Sequence, residues 1–300
     1  YEGRKVLLYC PRCETPISNF EVAMDNSYQD VTEESVTVKF KVKAGQRIGN
    51  WKVPESTFFL SWTTTPWTLP GNVALAVGND IDYTVLRVQD AKELYIVAAD
   101  LVSSVFKNKT TEIIHNNIKG KDLVGLEYEP LFNVPAVKSK TAFRIYPADF
   151  VTTEEGTGIV HTAVVYGEED YELGVKEGLP VVPLLDEKGK FNERAPKLIR
   201  GLYFKDSEKV IKDDLQKRGL LFSRENHKHS YPYCWRCGTP LFYNAIPAWF
   251  INIQKIKSKL IASNTREINW FPAHLKHGRY EKSVEQAPDW NISRNRYWGN

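Results

Sequence analysis

Three groups of residues in this 300-residue chain have types and spacings that could do chemistry. The first is four cysteines, the only ones present, placed as Cys10-x-x-Cys13 and Cys234-x-x-Cys237. Two residues between thiolates let one tight turn offer both sulfurs to one ion, so two such pairs suit a closed tetrahedral zinc site. Tyr9-Cys10-Pro11-Arg12-Cys13-Glu14-Thr15-Pro16 and Tyr233-Cys234-Trp235-Arg236-Cys237-Gly238-Thr239-Pro240 agree at six of eight positions, as two facing knuckles would. Such a site is structural, since no coordination position stays open; four reduced, unmetallated thiols are its alternative. Disulfides fit small secreted chains, and redox pairs fit a βαβ context that is not present. With 220 residues between Cys13 and Cys234, one ion would clamp the base of a long excursion.

The second group is Ser61-Trp62-Thr63-Thr64-Thr65-Pro66-Trp67-Thr68-Leu69-Pro70-Gly71-Asn72. Three threonines in a row could be an edge strand, but two prolines within five residues argue against its continuing. The segment must then leave its sheet as a loop carrying four threonine hydroxyls and an amide between two indoles. Hydroxyls donate and accept, which suits a site holding sugar hydroxyls, phosphate or a water. The third group is Gly156-Thr157-Gly158-Ile159-Val160-His161-Thr162-Ala163, followed by Gly167-Glu168-Glu169-Asp170-Tyr171. Glycines let a strand approach a ligand or another backbone closely. His161 falls at the end of that strand. Asp170 falls in the first turn of the next helix, where the dipole favours an ionised carboxylate able to receive an ammonium. A core histidine with both nitrogens satisfied and a plain capping acid are the bland alternatives.

The elements that must position these groups read as β-rich. Ser35–Lys43 alternates Val and Phe against Thr and Lys, the period of a strand. Further strands are expected at 57–62, 72–77, 83–88, 93–97, 112–118, 143–148 and 158–162, closed by Gly and Pro turns as in a barrel or sandwich. Helices are expected from an Asp100 cap to about Lys107, over 168–176 with Gly178 as its end, over 207–218 with Ser207 as cap, and over 251–264. The expected organisation is an α+β, β-rich chain: a zinc-knuckle arm at 1–25, a β-barrel domain with peripheral helices at 26–228, the second knuckle at 229–245, and a separate tail at 246–300.

Composition sets the bounds. Hydrophobic residues make up 42% and charged residues 26%, ordinary values for a chain with a real core. A net charge of +3 permits contact with nucleic acid without requiring it. No apolar run approaches the roughly 20 residues of a membrane span. Both ends read as cut from something longer, the second directly after Ser293-Arg294-Asn295-Arg296-Tyr297-Trp298-Gly299.

Taken together, the motifs resemble the inserted editing (CP1) region of the class I aminoacyl-tRNA synthetases, in the form found in the isoleucine enzymes. The threonine-rich stretch is similar to their editing peptide, and Gly156 to Ala163 with Asp170-Tyr171 to their second editing motif. The valine enzymes carry Lys where His161 stands. Val164 departs from the pattern, which often has Pro there. The resemblance covers essentially the whole chain. It implies an editing β-barrel clamped by a small zinc ribbon, with a tail returning to a Rossmann-type catalytic domain.

The resemblance also implies a role for each residue. Asp170 would hold the α-ammonium of a misattached amino acid, and His161 would border its side chain. Thr63, Thr64, Thr65 and Thr68 would position the terminal adenosine and an attacking water, with Asn72 assisting and Trp67 stacking on a ligand or walling the site. Cys10, Cys13, Cys234 and Cys237 would hold structural zinc. The substrate would be the acceptor end of tRNA(Ile) carrying valine, and the remainder of the synthetase would be joined in cis. ATP and Mg2+ would serve only the missing catalytic domain, since no His-Ile-Gly-His or Lys-Met-Ser-Lys-Ser signature is present. The expected setting is a monomer in the cytoplasm. Two rivals stand against this: a non-catalytic zinc-containing RNA-binding module, and the editing domain of a valyl-tRNA synthetase.

Overall fold

A computed structural model describes residues 1–23 and 27–296. Contacts divide the chain into two units, Tyr1–Leu7 with Ala245–Asn300, and Leu8–Asn244. In chain order the strands are β1 (Glu2–Cys10), β2 (Thr15–Ile17), β3 (Tyr28–Lys41), β4 (Arg47–Ile48), β5 (Trp51–Lys52), β6 (Thr57–Thr63), β7 (Ala74–Val77) and β8 (Asp82–Val88). They continue as β9 (Leu94–Ala98), β10 (Thr111–Lys119), β11 (Arg144–Pro147), β12 (Ile159–Thr162), β13 (Leu221–Pro232), β14 (Phe242–Ile251) and β15 (Trp290–Asn291).

The larger unit is mixed α+β and rich in strands. One sheet has the order β10-β8-β9-β6-β3-β13, and a second the order β11-β7-β12. Among the described residues these sheets stay open and do not close into the expected barrel; the six-stranded sheet ends at β10 and β13. Gly156 and Gly158, at φ of +77° and +71°, turn the chain so that β12 pairs with β7 instead of extending the first sheet. The two sheets meet through side chain and backbone: Ser61 Oγ donates to the Ile159 carbonyl at 2.8 Å, and the Ala98 N–H donates to the Thr157 carbonyl at 2.9 Å.

The alternation in β3 places Val36, Val38 and Phe40 in the core as its period requires. Its polar face is covered as well. Lys39 is buried there, and its ammonium bonds both carboxylate oxygens of Glu93 at 2.9 and 2.7 Å, which offsets the cost of removing it from water.

The helix Glu168–Glu177 ends at Gly178, which takes the left-handed conformation (φ +64°) expected of a C-terminal glycine. The helix Phe204–Lys217 starts three residues before Ser207. Ser207 is buried in its first turn and donates to the Phe204 carbonyl at 2.6 Å, so it is not the cap. Phe204 starts the helix because its ring packs edge-on against Trp67 and tilted on Phe242. The expected helix after Asp100 shrinks to a 3-10 turn (Ala99–Leu101) and one α-turn (Val102–Val105).

In the smaller unit, β14 pairs with β15 through Phe250 and Asn291. The helix Ile253–Glu267 is capped by the Asn252 side chain, which accepts from the Lys255 N–H at 2.8 Å. Of the terminal motif, Tyr297-Trp298-Gly299 lies outside the described residues. Among the described residues no helix is long and apolar enough to cross a membrane.

Candidate functional site

The four cysteines come together. Their Sγ atoms all lie within 4.8 Å of one another, with Cys10–Cys237 at 3.5 Å and Cys13–Cys237 at 3.6 Å. Zinc bound tetrahedrally at about 2.3 Å from each sulfur needs sulfur–sulfur edges of about 3.8 Å, so the donor set fits that ion. The sequence repeat has a backbone cause. After the second cysteine of each pair, Glu14 (φ +49°) and Gly238 (φ +66°) take the left-handed conformation that turns the chain back. Leu8, Ile17, Val22 and Leu241 wrap the sulfurs, and burial pushes the Cys10 and Cys13 thiols up. A cation is what would keep such sulfurs as thiolates.

The threonine segment leaves β6 at Thr63 and becomes a 3-10 turn, Pro66–Gly71, with Pro66 opening it. Thr63 Oγ1 accepts from the Thr65 N–H at 3.1 Å and shares a 3.2 Å bond with the Thr65 hydroxyl. Thr64 is half-buried, and among the described residues its hydroxyl makes no hydrogen bond. Trp67 is buried in the core, edge-on to Tyr166, Phe204 and Phe242 at 5.0, 5.0 and 6.1 Å. It supports the turn from behind.

Thr68, Asn72 and His161 form one buried hydrogen-bonded row. The His161 Nε2 lies 2.9 Å from Thr68 Oγ1, and its Nδ1 lies 2.9 Å from Asn72 Nδ2. Thr68 donates onward to the Thr65 carbonyl at 2.8 Å. Asn72 donates also to the Ala74 carbonyl at 2.8 Å and accepts from the Tyr128 hydroxyl at 2.6 Å. Burial pushes the His161 imidazole down to about 3, so the ring is neutral at ordinary pH. Both its nitrogens are in use. Tyr128 belongs to no motif, and sequence reasoning missed it.

Asp170 is the third residue of the helix Glu168–Glu177, after its N-cap Gly167. Its Oδ2 accepts from the Ala163 N–H at 3.0 Å, one residue past the end of β12. Burial pushes its carboxyl up to about 6, against the downward pull of the Ala163 N–H, and the charge of Glu169 adds to the rise. Burial thus outweighs the helix end, which alone would favour ionisation. Among the described residues the resulting carboxylate has one hydrogen-bond donor, which leaves room in its chemistry for a cation. The loop and the acid are therefore both fastened to β12, Thr68 through His161 and Asp170 through the N–H of Ala163.

Two further side chains hold this strand. The Tyr83 hydroxyl donates to the Gly158 carbonyl at 2.6 Å, and Ser61 donates to the Ile159 carbonyl. Ser61 opens the threonine motif, so its place was marked in the sequence though its role was not. A separate cleft of about 210 Å³, lined by Trp62, Gly156, Glu154 and His227, touches the two motifs only at Trp62 and Gly156 and takes in none of Thr63, Thr64, Thr65, Thr68, Asn72, His161 or Asp170.

The chain has relatives among known proteins. It is 43% identical to an isoleucine–tRNA ligase of Treponema denticola over 325 residues, covering 100% of this chain and 29% of that protein. It is 45% identical to the isoleucine–tRNA ligase of Bdellovibrio bacteriovorus over 301 residues, covering 100% of this chain and 27% of that protein. The chain thus spans under a third of the length of these curated relatives. Among solved structures, the GlLeuRS-CP1 crystal structure aligns with a TM-score of 0.49 at 15% identity, covering 64% of this chain and 98% of that one. The editing domain of the P. knowlesi cytosolic leucyl-tRNA synthetase aligns with a TM-score of 0.45 at 15% identity, covering 65% and 97%. The family model described as tRNA synthetases class I (I, L, M and V) matches residues 1–300, and the chain belongs to that family.

Proposed function

We propose that this chain is the editing region of an isoleucyl-tRNA synthetase and hydrolyses the ester that joins valine to tRNA(Ile). The observation that carries this reading is the shared fastening of the hydroxyl loop and Asp170 to β12. The chemical need is clear. Valine lacks one methylene of isoleucine, worth only about 1–3 kcal/mol in an apolar pocket, and this pair of amino acids is itself the established example of that limit. A second pocket, too tight for isoleucine, must remove the error.

In this reading Asp170 receives the α-ammonium of the attached valine. The hydroxyl of Thr64, with no partner among the described residues, and those of Thr63 and Thr65 take the terminal ribose and the water. Thr68 and Asn72 are set in place by His161, which borders the valine side chain through its ring carbons, since its nitrogens are engaged. An aminoacyl ester is already reactive, so orienting a water and stabilising the oxyanion suffices without an activated nucleophile. Cys10, Cys13, Cys234 and Cys237 would hold zinc, whose contribution is to tie the two knuckles together. The segment 246–300 would lead into the rest of the synthetase, where ATP and Mg2+ act, in a cytoplasmic and monomeric enzyme.

Side-by-side deacylation of valyl- and isoleucyl-tRNA(Ile) tests the reading. Valyl-tRNA is expected to be cleaved and isoleucyl-tRNA spared. Faster loss of threonine from threonyl-tRNA would place the chain in a valine enzyme, and binding without cleavage would make it an RNA-binding module.

A further inference from the structure

We propose that Tyr128 is a positioning residue of the hydrolytic site, acting through Asn72 and His161 on the hydroxyl of Thr68. The inference rests on reading the threonine loop as the place where the ester is cut. Tyr128 lies between β10 and β11, far from every motif, and its ring is fully buried, edge-on to Phe40 at 5.3 Å and Phe143 at 6.1 Å. Its hydroxyl meets Asn72 Oδ1 at 2.6 Å.

The direction of the row can be deduced bond by bond. The Ala74 carbonyl only accepts, so the Asn72 atom facing it at 2.8 Å must be the amide nitrogen. That same nitrogen faces His161 Nδ1, which must then be the bare nitrogen of the ring. The ring proton sits on Nε2 and is donated to Thr68 Oγ1, and Thr68 gives its own proton to the Thr65 carbonyl. Asn72 Oδ1 is left as an acceptor, so Tyr128 donates. Every donor in the row is thereby used, and the Thr68 oxygen keeps one lone pair. Toward a ligand it can only accept.

That polarity has a catalytic meaning. A water bound by Thr68 must donate a proton to it, which turns a lone pair of the water outward for attack on the ester carbonyl. Without the Tyr128 hydroxyl, Asn72 Oδ1 becomes a buried acceptor lacking a partner, and the amide and the imidazole it fixes are loosened.

The test compares Tyr128→Phe and Phe40→Leu in the full chain. Tyr128→Phe is expected to lower kcat for valyl-tRNA hydrolysis about tenfold, the effect of one lost hydrogen bond, with KM nearly unchanged. Phe40→Leu disturbs the same ring packing without touching the hydroxyl; it should lower the melting temperature and keep kcat. Wild-type kcat in Tyr128→Phe, or an equal loss in both variants, overturns the proposal. The row is tested separately by 15N-histidine spectra of the wild type, with His161 assigned by its absence in His161→Gln. A proton on Nε2 is expected, and a proton on Nδ1 refutes the row whatever the activity. A wild type that shows the Nε2 proton yet leaves valyl-tRNA intact overturns the reading of the site and spares the deduced row.

Discussion

Replacing Asp170 by Asn should make the protein more stable and less active, and the two effects have one origin. The carboxyl is raised from its ordinary 3.8 to about 6, chiefly by burial, so the fold holds the ionised form at a cost. Two pH units correspond to ~3 kcal/mol, which partial solvent access reduces to ~2 kcal/mol. The sign follows from proton binding. Between about pH 4 and 6 the folded state holds more protons than the unfolded, so this group's contribution to stability falls as pH rises through that window and stays lost above it.

Asn has the same shape and can still accept from the Ala163 N–H, but it carries no charge to bury. At pH 8, Asp170→Asn is expected to unfold at higher urea concentration than the wild type, and below pH 4 the two should coincide. Activity moves the other way. A charged hydrogen bond to an α-ammonium is worth about 1.5–3 kcal/mol, so kcat/KM for valyl-tRNA should fall about 10- to 150-fold. Wild-type kcat/KM should itself decline below pH 6 with the protonation of one group. An Asp170→Asn protein that is less stable than wild type at pH 8, or that deacylates valyl-tRNA at the wild-type rate, refutes this reasoning.

His161, pushed from 6.5 to about 3 by burial, contributes stability that is complete above pH 6.5 and is lost as pH falls toward 3, by up to ~5 kcal/mol. Asp170 opposes that loss between pH 6 and 4, so urea midpoints should drop more steeply over this range in Asp170→Asn than in wild type. Metal analysis should find one zinc per chain, and Cys10→Ser should lose the zinc and melt at lower temperature. A Cβ on Gly174 would lie 2.5 Å from Val164 Cγ1, so Gly174→Ala should cost ~1–3 kcal/mol. Adding Val164→Ala opens that space, and the double variant should melt above the single one, which calorimetry would detect.

Much of the fold can be read from local pattern. The alternation of Ser35–Lys43 marks β3, and the Gly178 stop marks the end of Glu168–Glu177, because in both cases a single period or a single glycine decides the matter. The start at Phe204 could not be read, since Ser207 has the better capping side chain and only the distant rings of Trp67 and Phe242 favour the earlier residue. β13 was hidden by its polar residues, which gain their strand from pairing with β3 and from no property of their own. At the site, the motifs named Thr68, Asn72, His161 and Asp170, but their distances are set by sheet pairing: His161 stands opposite Leu75 across β7 and β12. Tyr128 reaches Asn72 from 56 positions away and leaves no local trace. The balance at Asp170 was also out of reach, because desolvation depends on what packs around a group and the helix dipole does not.

Cys13 and Cys234 enclose 220 residues, and closing a loop of that size costs about 5 kcal/mol of chain entropy, while doubling its length would add only ~0.6 kcal/mol. With a metal ion bound across the two pairs, the excursion between them could grow or shrink at its turns with almost no change in that cost. The separation of the two exits stays the same whatever is carried in between. An excursion tethered in this way would be free to vary its surface and insertions while its anchorage stays constant.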